Sequence, residues 1–91
     1  MPTIDIRHPH SRSREQAREA VSRVADRMQE RFAVGCSWDD DTLEFRRSGV
    51  DGQIHVQEDE IRVTVNLGFL LMGLRGPIES EIRRYLEREF V

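Results

Sequence analysis

Three features of the sequence predict an α+β domain of order β-α-β-β-β-β-α, an antiparallel sheet with both helices on one face. Between residues 36 and 67 apolar side chains recur every second position, as in strands buried on one side. On either side of that stretch the spacing becomes helical. Ala17, Ala20, Val21, Val24, Ala25, Met28 and Phe32 precede it, and Leu71, Leu74, Ile78, Ile82, Tyr85, Leu86 and Phe90 follow it. The alternate face of the strands is polar (Thr42, Glu44, Arg46, Gln53, His55, Gln57, Arg62, Thr64, Asn66), so only one face can take a second layer.

Ile4 and Ile6 alternate with Asp5 and Arg7 in a first strand, which His8-Pro9-His10-Ser11 ends because Pro9 lacks an N–H. Ser13 followed by Gln16 fits a capping box that opens the first helix. Gly35 fits its left-handed C-terminal cap, and Glu19–Arg23 has the favourable i,i+4 order on the outer face. Cys36 and Trp38 then share one side of a strand that turns at Asp39-Asp40-Asp41. Leu43 and Phe45 point inward in the next strand, and residues 48–52 form a turn in which Asp51-Gly52 supplies the tolerance for positive φ. Ile54 and Val56 face in, Glu58-Asp59-Glu60 turns, and Ile61, Val63, Val65 and Leu67 make the longest strand. Gly73, Gly76 and Pro77 interrupt the last helical stripe. Pro77 suits a first helical turn, which gives a short turn over 69–75 and a helix from about Gly76 to Glu89. One long helix kinked at Pro77 is the alternative.

The 91 residues form one domain, 1–91, at the small end of the range that folds alone, where dimerisation is a natural supplement. All 14 basic residues are Arg, and they are unevenly matched by acids. Residues 1–35 carry +2, residues 36–67 carry −5 and the remainder is balanced, so no basic stripe suited to nucleic acid exists. A single cysteine, Cys36, permits no internal disulfide and suits a reducing compartment. The N-terminal residues carry no signal-like apolar stretch, and the apolar run over 67–74 is far shorter than the ~20 residues a membrane span needs. A cytoplasmic protein is expected.

Reactive constellations are sparse. His8, His10 and His55 have no metal-binding spacing to one another or to Cys36, and Asp39-Asp40-Asp41 lacks the interleaved ligands of a calcium loop. No Ser, Cys or Lys stands in a recognisable nucleophile–base pattern, and no glycine loop suits phosphate. The Arg face of the first helix is interspersed with acids and reads as solvated. The expectation is therefore a non-enzyme with no catalytic residue, cofactor or metal.

What stands out is residues 67–74, Leu-Gly-Phe-Leu-Leu-Met-Gly-Leu. One amphipathic face cannot bury all of these, because neighbours on a helix point in different directions. Phe69, Leu70, Met72 and Leu74 are the candidate interaction surface, for an apolar particle or for a second copy. Alternatively, Trp38, Phe45, Val65 and Leu71, with Leu74, line an apolar ligand site between the last helix and the sheet.

Two stretches carry a family resemblance. Residues 38–52, with Thr-Leu-Glu-Phe-Arg-Arg-Ser-Gly-Val-Asp-Gly, and the 67–74 run, followed by Ile-Glu-Ser-Glu-Ile at 78–82 and the closing 86–90 segment, resemble the bacterial polyhydroxyalkanoic acid (PHA) system or PHA granule region proteins. The likeness spans nearly the whole chain. It implies a cytosolic bacterial protein tied to storage-polyester synthesis or granules, with the granule surface or PHA-system proteins as partners, and it brings no catalytic residues. The element order is also similar to a shortened helix-grip fold of the START-like type, which implies a strand order of 1-5-4-3-2.

Overall fold

The computed structural model describes residues 2–90. Its elements are β1 (Ile4–Pro9), α1 (Arg14–Phe32), β2 (Gly35–Asp39), β3 (Thr42–Arg47), β4 (Val50–Val56), β5 (Glu60–Leu67), a 3-10 segment (Phe69–Leu74) and α2 (Arg75–Glu89). The sheet is fully antiparallel, in the order β1-β5-β4-β3-β2. The chain is thus an α+β fold with the strand order implied above.

Period-two alternation sets the register. Ile6 lies opposite Val63 and Ile54 opposite both Val63 and Leu43, so inward residues of neighbouring strands form continuous rows. Ile4, Ile6, Leu43, Phe45, Ile54, Val56, Ile61, Val63, Val65 and Leu67 are all buried. The helices cover this face, with α1 over β2 and β4, α2 over β1, and the two helices against each other. The opposite face is laced by polar pairs. Arg62 donates two bonds to the Asp5 carboxylate (3.2 and 3.0 Å), and Thr42 meets His55 at 3.1 Å. The Arg62 guanidinium holds the Asp5 carboxyl below its ordinary range.

The capping box forms as the sequence predicts: the Gln16 N–H donates to Ser13 Oγ, and the Ser13 N–H donates to Gln16 Oε1. Ala17, Ala20, Val21, Val24, Ala25 and Met28 are buried, with Phe32 half-buried. On the outer face Arg23 pairs with Glu89, not with Glu19, and Arg27 also reaches Glu89 at 3.8 Å. Glu89 therefore stitches the end of α2 to the middle of α1.

Two local expectations are corrected. The left-handed cap of α1 is Ala33 (φ 56°, ψ 36°), whose N–H donates to the Gln29 carbonyl, and Gly35 belongs to β2 opposite Arg46. The helix stops two residues early because Val34 is drawn into the core, 5% exposed. Left-handed backbone costs an L-residue roughly 1–2 kcal/mol. Ala33→Gly is accordingly expected to raise stability by about 0.5–1 kcal/mol in urea titration, with an unchanged or lowered midpoint counting against this cap. The second correction concerns the turn after β3. Positive φ falls at Gly49 (84°), and Gly52 lies in β4, buried beneath Phe45.

The last segment is two pieces, not one kinked helix. A single 3-10 stretch precedes α2, and Pro77 sits in the first turn of α2, where its missing N–H has no helical partner to lose.

Candidate functional site

At one end of the molecule the β3–β4 turn and the exit of β5 are locked together. The Gly68 N–H donates to the Gly49 carbonyl (2.8 Å), and the Leu71 N–H donates to the Gly68 carbonyl (2.9 Å). Both glycines sit at close approach, and Gly49 also has a left-handed φ of 84°. A Cβ on Gly68 would lie 3.3 Å from Gly49 Cα, and one on Gly49 would lie 3.1 Å from Leu71 Cδ1. Leu71 is thereby seated on the turn, half-buried against the core.

This anchoring fixes where the rest of the apolar run points. A 3-10 helix repeats every three residues, so fixing Leu71 and Leu74 toward the body turns Phe69 and Leu70 away from it. Phe69 is 91% exposed and Leu70 90%, while Met72 and Leu74 are each 49% exposed. Met72 lies toward β1, with its sulfur 3.9 Å from the Thr3 hydroxyl. Phe69 and Leu70 thus protrude as an apolar knuckle flanked by the half-exposed Met72 and Leu74, and these four are the exposed large apolar side chains of the described residues.

Beneath the knuckle is a cavity of about 220 Å³, between the C-terminal turn of α1, the start of α2 and the sheet. Phe45, Val65, Leu71 and Leu74 contribute to its lining. Trp38 is not part of this lining. Trp38 sits on the edge strand opposite Leu43, beside the N-terminal half of α1. There the Arg18 guanidinium lies 4.6 Å from its ring centroid, and Asp41 holds Arg14 at 2.9 Å. Its aromatic face is occupied by a cation, a contact worth about 0.5–1 kcal/mol at such exposure.

Sequence reasoning missed most of the cavity lining, with Val34, Arg31 and Arg47 among the missed residues. For the two arginines no signal existed, because exposed guanidiniums on a helix end and a strand end read as solvated. The Arg47 guanidinium donates to the Phe32 carbonyl (2.9 Å), which closes the end of α1 and holds Arg47 at the cavity. Glu81 also lines the cavity and is engaged, accepting from Tyr85 Oη (2.8 Å) and Arg84 Nη1 (3.1 Å). Burial, and the bond to Glu81, push the Tyr85 hydroxyl above its ordinary pKa.

The remaining reactive side chains have structural surroundings. The His10 Nε2–H donates to the Gln57 carbonyl (2.9 Å), which leaves Nδ1 to accept from the Arg12 N–H (3.1 Å). His8 and His10 both pack on the Phe90 ring, at 5.8 and 5.6 Å between centroids. Burial raises the Cys36 pKa, with the bond to Gln29 only partly opposing it, so the thiol is protonated at neutral pH. Among the described residues no three His, Cys, Asp or Glu side chains converge on a metal-sized site, and no helix is long and apolar enough to cross a membrane.

No curated protein and no solved structure matches this chain significantly. A family model does, and its description is "Putative polyhydroxyalkanoic acid system protein". The match runs over residues 4–90, from the first residue of β1 to the residue that follows α2, and so takes in the sheet, both helices and the apolar knuckle. With the whole described fold inside one family match, the chain belongs to the polyhydroxyalkanoic acid system protein family.

Proposed function

We propose that this protein is a non-catalytic accessory protein of the polyhydroxyalkanoate storage system, resident in the cytoplasm and associated with the granule through its knuckle. The observation that carries this reading is the exposure of Phe69 and Leu70, 91% and 90%. Two large apolar side chains held in water by a locked corner give up about 1.5–3 kcal/mol each relative to burial. That free energy is recovered on an apolar surface such as a polyester particle. Met72 and Leu74, half-exposed on the same turn, widen the contact. A gain of about 3–6 kcal/mol from the two leading side chains supports reversible rather than permanent attachment.

The test is co-sedimentation with isolated polyhydroxyalkanoate granules. Wild-type protein is expected in the granule fraction, and the double variant Phe69→Asp, Met72→Asp in the supernatant. Because these side chains contribute little to the core, the melting temperature of the variant should be unchanged. Equal granule binding by the variant would overturn the assignment. A second copy is the competing occupant. Light scattering would reveal it as a dimer that the same double variant converts to monomer.

A further inference from the structure

The cavity below the knuckle has a chemistry that an apolar docking surface does not need. Its walls are Met28 from α1, Phe45 and Val65 from the sheet, and Ile82 from α2, with Leu71 closing the knuckle side. Its volume, about 220 Å³, exceeds the ~150 Å³ that accommodates benzene in an engineered apolar cavity. It therefore suits a group of about six to eight non-hydrogen atoms. Two arginines, Arg31 and Arg47, both open to solvent, also belong to the lining.

The charge at this site is not balanced locally. Glu81, the carboxylate in the lining, already accepts from Arg84 and Tyr85. Arg47 uses a single donor, on the Phe32 carbonyl, of the five a guanidinium carries. Arg31 makes no hydrogen bond or ion pair among the described residues, and its charge acts on Tyr85 only at a distance. An apolar chamber with two under-used guanidiniums matches a molecule with a short apolar tail and an anionic head.

We infer that the cavity binds a short unbranched aliphatic carboxylate of about four to six carbons, its tail among Phe45, Val65 and Leu71 and its carboxylate on Arg31 and Arg47. A planar guanidinium is the donor suited to a carboxylate, and the volume of this partly open cavity suits a tail of that length. This site stands on its own geometry and does not depend on the granule reading.

The experiment is titration of the full chain with hexanoate, followed through backbone amide NMR shifts. Trp38 lies outside the cavity lining, so tryptophan fluorescence is not the probe. Hexanoate is expected to move the amides of Val34, Val50, Leu71 and Ile78 in a saturable way. Hexylamine, whose head is cationic, and acetate, which lacks the tail, should leave them in place. Arg31→Gln, which removes no internal hydrogen bond, should weaken hexanoate about five- to tenfold. Absence of shifts at tens of millimolar hexanoate would overturn the proposal. So would equal binding of hexylamine, unchanged affinity in Arg31→Gln, or shifts confined to Phe69 and Leu70. Granule co-sedimentation is read separately, so each assignment can fail without the other.

Discussion

Phe45→Ala is expected to lower stability by about 3–5 kcal/mol, the range for deleting a buried aromatic side chain. Phe45 is 1% exposed, sits in the middle of β3, and forms part of both the core and the cavity wall. Its ring lies over Gly52 on β4, its direct cross-strand partner. Truncation therefore leaves an empty space above a residue with no side chain to fill it, joined to a cavity that already exists. Domains of this size hold about 5–15 kcal/mol in total, so the loss is a large fraction of what keeps the chain folded. Urea titration measures it directly. A loss below about 1 kcal/mol would mean that the ring does not pack as described.

Gly52→Ala is expected to be destabilising by about 2–3 kcal/mol, opposite in sign to what strand propensity alone predicts. A glycine inside a strand normally weakens it, so adding a methyl group would ordinarily help. Here the added Cβ would lie 2.3 Å from Phe45 Cζ, 2.6 Å from Cε2 and 2.9 Å from the Thr64 carbonyl oxygen. The ring cannot simply turn aside, because it is enclosed by the core, and the carbonyl belongs to the sheet. The remedy follows from the same contact. Phe45→Leu in the Gly52→Ala background should cost less than the sum of the two single changes, with a coupling above about 0.5 kcal/mol in a double-mutant cycle. Additive losses would show that the two residues do not share this contact.

Much of the fold was legible because burial on one face imposes a period, and the period is written in residue type. Ile4 and Ile6, the inward residues of β3 to β5 and the apolar stripe of α1 all occupy the positions their spacing assigned. Local stereochemistry was less legible. Asp51-Gly52 reads as a turn and Gly35 as a helix cap, because glycine marks both tight turns and close packing with the same letter. The ring of Phe45 decided the role of Gly52, and the burial of Val34 displaced the cap to Ala33.

The candidate site divides along the same line. An excess of apolar residues over 67–74 is visible in the sequence, but which of them lack cover is not. Trp38 reads as part of an apolar ligand lining and lies under Arg18 at the edge of the sheet, since an edge strand has neighbours on one side only.

By itself the sequence determined the element order, the inward face of each strand and helix, and the presence of more apolar side chains near Gly68 than one face can hold. These depend on periodicity, which is local. Only the tertiary structure decided that Leu71 locks onto Gly49, that Phe69 and Leu70 consequently face water, and that Arg31 and Arg47 meet at one apolar cavity. Those outcomes depend on contacts between residues far apart in the chain, and no local pattern encodes which distant surface a side chain will meet.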